Sequence, residues 1–187
     1  MKRLFALCLL ALMACSIQAQ QRWWLGGSVS ANTQTESGKG SKASIDHLSL
    51  SPAIGLDLND RWTVATALEY QYTGLDHSNN SSKSTLQTLG ISPIVYYTFA
   101  EVKDFCFYVE ASGTWSTNFT DKDDHDYYNV GFGLRPGVSY TIGNRVALFT
   151  DFGGLDWQKE WYSDSGSHTS FSLGLWSTFS LGFYVYL

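Results

Sequence analysis

Four charged side chains occupy corresponding positions in separate segments of the chain, and their types could support chemistry. Glu69, Glu110, Arg135 and Asp151 each lie inside a segment of alternating large and small residues, among the small ones. Three carboxylates around one guanidinium could form an ion-pair network, a cation-selective constriction, or a paired acid and base. The spacing does not demand an acid-base pair, and buried charges persist only when they are paired, so we expect an ion-pair network.

A second set of candidate residues lies in a hydrophilic segment. His168 with Ser165, Ser167 or Asp164 has the residue types of a hydrolase triad. Serine and aspartate are ordinary loop residues, however, so this grouping is weak evidence for catalysis. We therefore predict no enzymatic activity and no catalytic residues.

An acidic segment at residues 121–126 (DKDDHD) offers oxygen ligands of the kind that divalent cations prefer. It lacks the D-x-D-x-D-G spacing of a calcium-binding loop. Charged runs in loops are usually only hydrated, so we predict a solvated acidic loop, no metal site and no cofactor.

The composition narrows the class of protein that could carry these residues. Of 187 residues, 44% are hydrophobic, 16% are aromatic and 16% are charged, and the formal net charge is -5. The low charged fraction and the abundant rings argue against disorder and against a coiled coil. The acidic balance, without any run of lysine or arginine, argues against a nucleic acid partner. The length suits one domain. Its many aromatic side chains require an apolar environment.

Residues 1–20 have the pattern of a cleavable signal peptide. A basic start is followed by an apolar run at 4–13 and then by small and polar residues. The apolar run is too short to span a bilayer. We predict one mature domain at 21–187, in which Cys106 is the single cysteine. Lipidation of Cys15 is an alternative, because the preceding residues complete a lipoprotein-like LMAC box.

The rest of the chain repeats an alternation of large and small side chains. At residues 61–73 the large ones fall at even positions, beginning with Trp62, and the same contrast holds throughout 127–142. A period of two indicates a strand with two unlike faces. We predict eight such strands, near 22–31, 44–57, 61–73, 86–99, 104–116, 127–142, 145–156 and 169–187.

The connections between these strands alternate between short and long. Their order places every long loop at one end of the sheet and both termini at the other. The sequence therefore predicts an all-β fold, an eight-stranded antiparallel up-and-down β-barrel without free edges. Tight turns are predicted at 59–60, 100–103 and 143–144, and hydrophilic loops at about 32–43, 74–85, 117–126 and 157–168.

Volume decides which face of the closed sheet points inward. A soluble, lipocalin-like barrel would place the bulky face inside, and periodicity alone permits that. The interior of an eight-stranded barrel just fits ordinary side chains, so we predict that the bulky set points outward. Phe105 and Trp115 on one strand are then about 25 Å apart vertically, which matches the apolar band of a transmembrane barrel. The bulky set is Trp23, Trp62, Trp115, Phe99, Phe105, Phe107, Phe132, Phe171, Phe179 and Phe183.

The chain resembles the small eight-stranded outer membrane proteins of Gram-negative bacteria, typified by OmpX and the barrel domain of OmpA. The likeness is architectural over 21–187. It is also local at the C-terminus, where Ser180, Gly182, Val185 and Leu187 look like the assembly signal of that family. The resemblance implies insertion by the barrel-assembly machinery, contact with outer membrane lipid and lipopolysaccharide, and a lumen filled by ion pairs. It also implies periplasmic termini and extracellular long loops.

Three functional hypotheses follow. The leading one is a non-enzymatic outer membrane barrel with a side-chain-filled lumen and four extracellular loops in structural, partner-binding or adhesion roles. The second is a narrow, cation-preferring pore, suggested by the surplus of lumen carboxylates. The third is a lipid-modifying enzyme of the lipid A deacylase or acyltransferase type that uses His168. Each hypothesis is compatible with membership of a larger envelope protein complex.

Overall fold

The structure, a computed structural model, is a closed barrel of eight antiparallel β-strands. It describes residues 22–38, 41–77, 83–118, 127–162 and 166–187. Each strand pairs with the next one in the chain, and β8 pairs with β1, so the predicted architecture is confirmed. The strands are β1 (Arg22–Gly38), β2 (Ser41–Asp57), β3 (Trp62–His77), β4 (Lys83–Val102), β5 (Phe105–Asn118), β6 (Tyr127–Ile142), β7 (Val146–Tyr162) and β8 (Gly166–Tyr186).

The predicted signal peptide at 1–20, including Cys15, lies outside the described residues. Within the ranges that the structure describes, no helix is long and apolar enough to cross a membrane.

Three short turns join the strands at one end of the barrel, which we call the short-turn end. In the turn between β2 and β3, Asn59 Oδ1 accepts hydrogen bonds from the backbone N–H groups of Arg61 and Trp62 at 2.9 and 3.0 Å. In the turn between β6 and β7, Gly143 has a φ of 63°, a left-handed conformation that glycine adopts at little cost. The turn predicted at 100–103 is shorter than expected, because its first three residues belong to β4.

At the opposite end, the long-loop end, the strands continue past their predicted limits. β1 reaches Gly38 and β7 reaches Tyr162, and both keep their backbone pairing to these residues. A backbone ladder continues wherever both chains stay extended, whereas alternation marks only the stretch in which the two faces have different surroundings. The predicted loops are therefore wrong in extent, since strand residues occupy part of each: 32–43, 74–85, 117–126 and 157–168.

The bulky side chains cover the outside of the barrel, as predicted. Trp115 and Phe132 are about half exposed, and Leu173 is 71% exposed, although all three are apolar. The inward-facing alternative of a lipocalin-like barrel is therefore wrong. Exposure is observed for Trp23, Trp62, Trp115, Phe99, Phe105, Phe107, Phe132, Phe171 and Phe183, while the side chain of Phe179 lies outside the described part.

Six aromatic rings nevertheless point into the lumen near the short-turn end. Tyr96 and Tyr108 meet edge to face with ring centroids 5.4 Å apart, and Trp24 lies 5.0 Å from Tyr184. The alternation of large and small side chains predicted small residues in the lumen and did not predict these rings. We call Trp24, Tyr96, Tyr108, Phe149, Tyr184 and Tyr186 the lumen aromatic cluster.

Glycines on neighbouring strands make room for these rings. Tyr108 lies directly opposite Gly137 in the β5–β6 ladder, and a Cβ atom at Gly137 would overlap the Tyr108 ring. The same arrangement recurs at two other rings, Trp24 opposite Gly55 and Phe149 opposite Gly182, so each of the three rings depends on the lack of a side chain opposite it. At Gly26, opposite Tyr184, an added Cβ atom would instead overlap the Phe183 carbonyl oxygen and the Tyr184 Cβ atom.

β1 and β8 close the barrel through a short ladder. Six residue pairs join them in the described part of the chain, against 17 pairs between β1 and β2. The contact between Trp24 and Tyr184 crosses this seam inside the lumen. Below it, the backbone N–H of Leu187 donates to the carbonyl of Trp23 at 2.9 Å. The lumen aromatic cluster therefore reinforces the shortest pairing of the sheet.

We expect Gly137→Ala to destabilise the barrel, because the new methyl group would overlap the Tyr108 ring. Overpacking of this kind typically costs about 1–3 kcal/mol. The measurement is the temperature at which the compact, faster-migrating form on an SDS gel converts to the slower unfolded form. Gly113→Ala is the matched control, since the nearest atom, Pro93 Cγ, would lie 3.7 Å from its Cβ. Equal transition temperatures for both variants would contradict this account of the packing.

Candidate functional site

Glu110 and Arg135 meet in the middle of the lumen. They lie directly opposite each other on β5 and β6, and Arg135 Nη1 is 3.6 Å from Glu110 Oε1. Glu110 is only 6% exposed, whereas the Arg135 side chain is 38% exposed. The carboxylate is therefore shielded from bulk water beside a cation that compensates its charge.

A second acid, Asp156 on β7, contacts the same guanidinium. Its Oδ1 accepts a hydrogen bond from Arg135 Nη2 at 2.6 Å, which is shorter than the contact with Glu110. Arg135 therefore bridges β5 and β7 across the strand that carries it. The sequence analysis did not include Asp156 among the candidate residues.

Asp151 is held by hydroxyl groups. Tyr108 donates its phenolic hydrogen to Asp151 Oδ1 at 2.7 Å, and Ser180 Oγ donates to Asp151 Oδ2 at 2.7 Å. Hydrogen bonds to an ionised carboxylate are among the stronger ones in proteins. Both oxygens of this buried acid are therefore satisfied by neutral donors on β5 and β8.

Glu69 belongs to a third arrangement, on β3. Ser92 on β4 donates a hydrogen bond to Glu69 Oε1, and Ser92 Oγ is 3.0 Å from Thr114 Oγ1 on β5. The four predicted residues are thus all in the lumen. The structure brings Glu110 and Arg135 into direct contact and places Glu69 and Asp151 in hydroxyl networks.

A bulge in β7 explains why the alternation of large and small residues did not place Asp156 among the lumen residues. The register with β8 shifts between Phe152 and Gly154, and Gly153 has a φ of 51°. Before the bulge, odd positions such as Asp151 face the lumen; after it, even positions such as Asp156 do. Two consecutive glycines inside a strand pattern are the signal for such a bulge.

Together these contacts place charged and hydroxyl groups across the middle of the bore. Tyr108 connects the lumen aromatic cluster with these polar groups, because its ring packs in the cluster and its hydroxyl group binds Asp151. Three carboxylates against one guanidinium leave a surplus of negative charge. We call Tyr108, Glu110, Arg135, Asp151, Asp156 and Ser180 the mid-lumen network.

The other candidate residues do not form a recognisable catalytic group in the described part of the chain. His168 on β8 is exposed, and Ser167 precedes it on the same strand, so their side chains point to opposite faces of the sheet. Ser165, Asp164 and the acidic segment 121–126 lie outside the described residues.

The residues of the predicted assembly signal lie at the closing seam. Gly182 pairs with Ser28, and Val185 pairs with Leu25. Leu187 is 77% exposed at the end of the chain. Ser180 lies above them, where it binds Asp151.

Comparison with known proteins supports the fold. A model of the outer membrane protein beta-barrel domain matches residues 5–179. Among solved structures, outer membrane protein OprG from Pseudomonas aeruginosa aligns with a TM-score of 0.57 at 12% identity, covering 92% of this chain and 98% of that one. Neisserial surface protein A aligns with a TM-score of 0.48 at 18% identity, covering 87% and 96%. At 12% identity the likeness to OprG concerns the fold alone. Among curated proteins, none matches this sequence.

We expect Arg135→Ala to lower the unfolding temperature at neutral pH, because Glu110 and Asp156 would face each other without their cation. Removing one partner of a buried ion pair costs ~3–5 kcal/mol, and the partial exposure of Arg135 favours the lower part of that range. Acidification should recover part of the loss, since protonated carboxyl groups do not repel each other. The readout is the gel-shift transition temperature at neutral and acidic pH.

Arg61→Ala serves as the control for this variant, because it removes the same side chain from an exposed turn. Its transition temperature should stay close to that of the wild type at both pH values. An Arg135→Ala variant as stable as Arg61→Ala would show that the ion pairs do not stabilise the barrel.

Proposed function

Because the chain belongs to the outer membrane protein β-barrel domain family, we propose that it is a non-enzymatic outer membrane barrel whose lumen is closed at mid-height. The four connections at the long-loop end, together with the strand ends that carry them, then face the cell exterior and serve structural, partner-binding or adhesion roles. The single observation that carries this proposal is the mid-lumen network, which joins inward side chains of the four neighbouring strands β5 to β8.

The outer surface of the barrel supports contact with outer membrane lipid and lipopolysaccharide. Near the short-turn end, Phe105 packs on Tyr140 with ring centroids 4.8 Å apart, and Trp62 packs on Tyr97 at 4.7 Å. Trp115, toward the other end of β5, is 56% exposed. Aromatic rings at two heights, with aliphatic side chains between them, are typical of a barrel that crosses a bilayer.

The end at which strands such as β1 and β7 continue past their predicted limits supports an orientation in which the short turns and both chain ends are periplasmic. Bacterial outer membrane barrels have short periplasmic turns and longer extracellular loops. The C-terminal strand with Gly182 and Val185, at the seam that closes the barrel, is then the segment offered to the barrel-assembly machinery.

The hydrogen bonds and ion pairs of the charged side chains in the lumen favour a closed lumen over a pore. Asp151 has both oxygens engaged, and Arg135 reaches acids on both neighbouring strands. An ion that passed this level would have to displace these contacts, because an eight-stranded barrel has little room beyond its side chains. The carboxylate surplus is what favours the pore as the second candidate.

An enzymatic role lacks support from the described residues. His168 and Ser167 point to opposite faces of β8, so this pair cannot supply a nucleophile and its base within hydrogen-bond distance.

We expect the purified protein to show little steady conductance in planar lipid bilayers, because the proposed closure at the mid-lumen network leaves no continuous water-filled path. Arg135→Ala/Asp156→Ala should conduct more than the wild type, since it removes the contact that bridges β6 and β7. Single-channel recording in symmetric salt measures both proteins. A stable, cation-selective current from the wild type would refute the closed barrel and establish the pore.

The proposed orientation predicts which end of the barrel is accessible on intact cells. In a Cys106→Ser background, Ser167→Cys at the long-loop end should react with a polyethylene-glycol maleimide too large to cross the outer membrane. Asp60→Cys, in an exposed turn at the other end, should react only after the membrane is disrupted. Labelling of Asp60→Cys on intact cells would reverse the orientation.

A further inference from the structure

One cavity of the barrel lies on the short-turn side of the mid-lumen network, with which it shares Tyr108. It has a volume of about 740 Å³, begins at the lumen aromatic cluster and reaches the turn residues Asn59 and Asp60, which are exposed at the short-turn end. Pockets that bind small molecules typically measure ~300–1,000 Å³. We call this cavity the vestibule.

The vestibule combines aromatic rings with negative charge. All six rings of the lumen aromatic cluster line it. Its ionisable walls carry three carboxylates, from Asp57, Asp60 and Glu101, against the one guanidinium of Arg22. Ring faces carry partial negative charge as well, so both components attract a cation.

One cation already lies on a ring of this cluster. The guanidinium carbon of Arg22 is 3.9 Å from the centroid of the Tyr186 ring, and Arg22 Nη2 donates to the carbonyl of Asn144 at 2.9 Å. Arg22 is thereby fixed at the rim. The contact demonstrates that the cluster can present a ring face to a positive charge at the vestibule wall.

The three acids differ in how they are held. Asp57 is half-buried and accepts a hydrogen bond from Thr63 Oγ1 at 2.7 Å, so it belongs to the wall. Asp60 and Glu101 are exposed toward the opening. The negative charge therefore surrounds the entrance, and the rings lie deeper.

We propose that the vestibule binds small organic cations of the alkylated ammonium class. The acids at the entrance attract the ligand, and the rings then receive its methylated head group through cation–π contacts. Such a head group has an apolar surface that suits aromatic walls, whereas an inorganic cation would have to give up its hydration shell there. This inference concerns the short-turn end alone and does not depend on the closure of the lumen.

The first test is equilibrium dialysis of radiolabelled choline against the full-length protein in nonionic maltoside micelles. Saturable binding is expected. Neither 3,3-dimethylbutan-1-ol, which is the uncharged isostere of choline, nor sodium chloride at equal concentration should displace it. Displacement by the isostere would mean that apolar filling suffices, and displacement by sodium would mean that charge suffices. Either result, or a lack of saturable binding, overturns the proposal.

Charge variants locate the site. Asp60→Asn/Glu101→Gln should raise the Kd for choline about fivefold or more, because two carboxylates near a cation in a wet cavity contribute roughly that factor. Asp104→Asn is the matched control: it removes an acid from an exposed turn at the same end of the barrel, outside the vestibule. Equal Kd values for the double variant and this control would overturn the assignment.

Cys106 provides a chemical report from inside the vestibule. It lines the cavity and lies directly opposite Glu101 in the β4–β5 ladder. Saturating choline should slow the alkylation of Cys106 by iodoacetamide, followed by peptide mass spectrometry. The isostere should leave the rate unchanged. If bound choline also leaves it unchanged, the ligand lies elsewhere and the proposal is wrong.

Discussion

The narrow bore of an eight-stranded barrel is the constraint on which the rest of this structure depends. Its interior fits ordinary side chains and little more, so a large inward residue requires an empty position beside it. Tyr108 opposite Gly137 and Trp24 opposite Gly55 satisfy that requirement. Beside a small residue such as Gly133, Arg135 can extend to acids on both neighbouring strands. Aromatic and charged groups therefore occupy different heights in the same bore.

The same packing supports the seam that closes the barrel. A lipid-facing strand edge with unpaired backbone groups is costly in a membrane, and the ladder between β1 and β8 contains only six pairs. Trp24 on β1 contacts Tyr184 on β8, and Phe149 on β7 also contacts Tyr184, with ring centroids 5.9 Å apart. The rings thus join three strands around the seam. Closure then depends on lumen packing as well as on hydrogen bonds.

The sequence predicted the strands from the period of two, and it predicted the outward direction of the bulky face from the small interior volume of an eight-stranded barrel. It did not predict Asp156, because the bulge at Gly153 exchanges the two faces of β7 partway along the strand. It also missed the inward rings, since alternation distinguishes two faces only by their average size. To predict these rings, one must know which residues lie opposite each other. Trp24 can point inward because Gly55 lies opposite it, and this register between β1 and β2 is known only from the folded sheet.

Tyr108 connects the mid-lumen network with the lumen aromatic cluster, whose rings line the vestibule. Its hydroxyl group binds Asp151, while its ring packs against Tyr96 and contributes to the vestibule wall. The hydrogen bond fixes the position of the hydroxyl end of the ring, which lies in the space that Gly137 leaves open. A wall fixed in this way loses little conformational entropy when a ligand packs on it. The buried carboxylate therefore preorganises an aromatic surface that it does not itself touch, and the charged layer and the aromatic layer act as one packed unit.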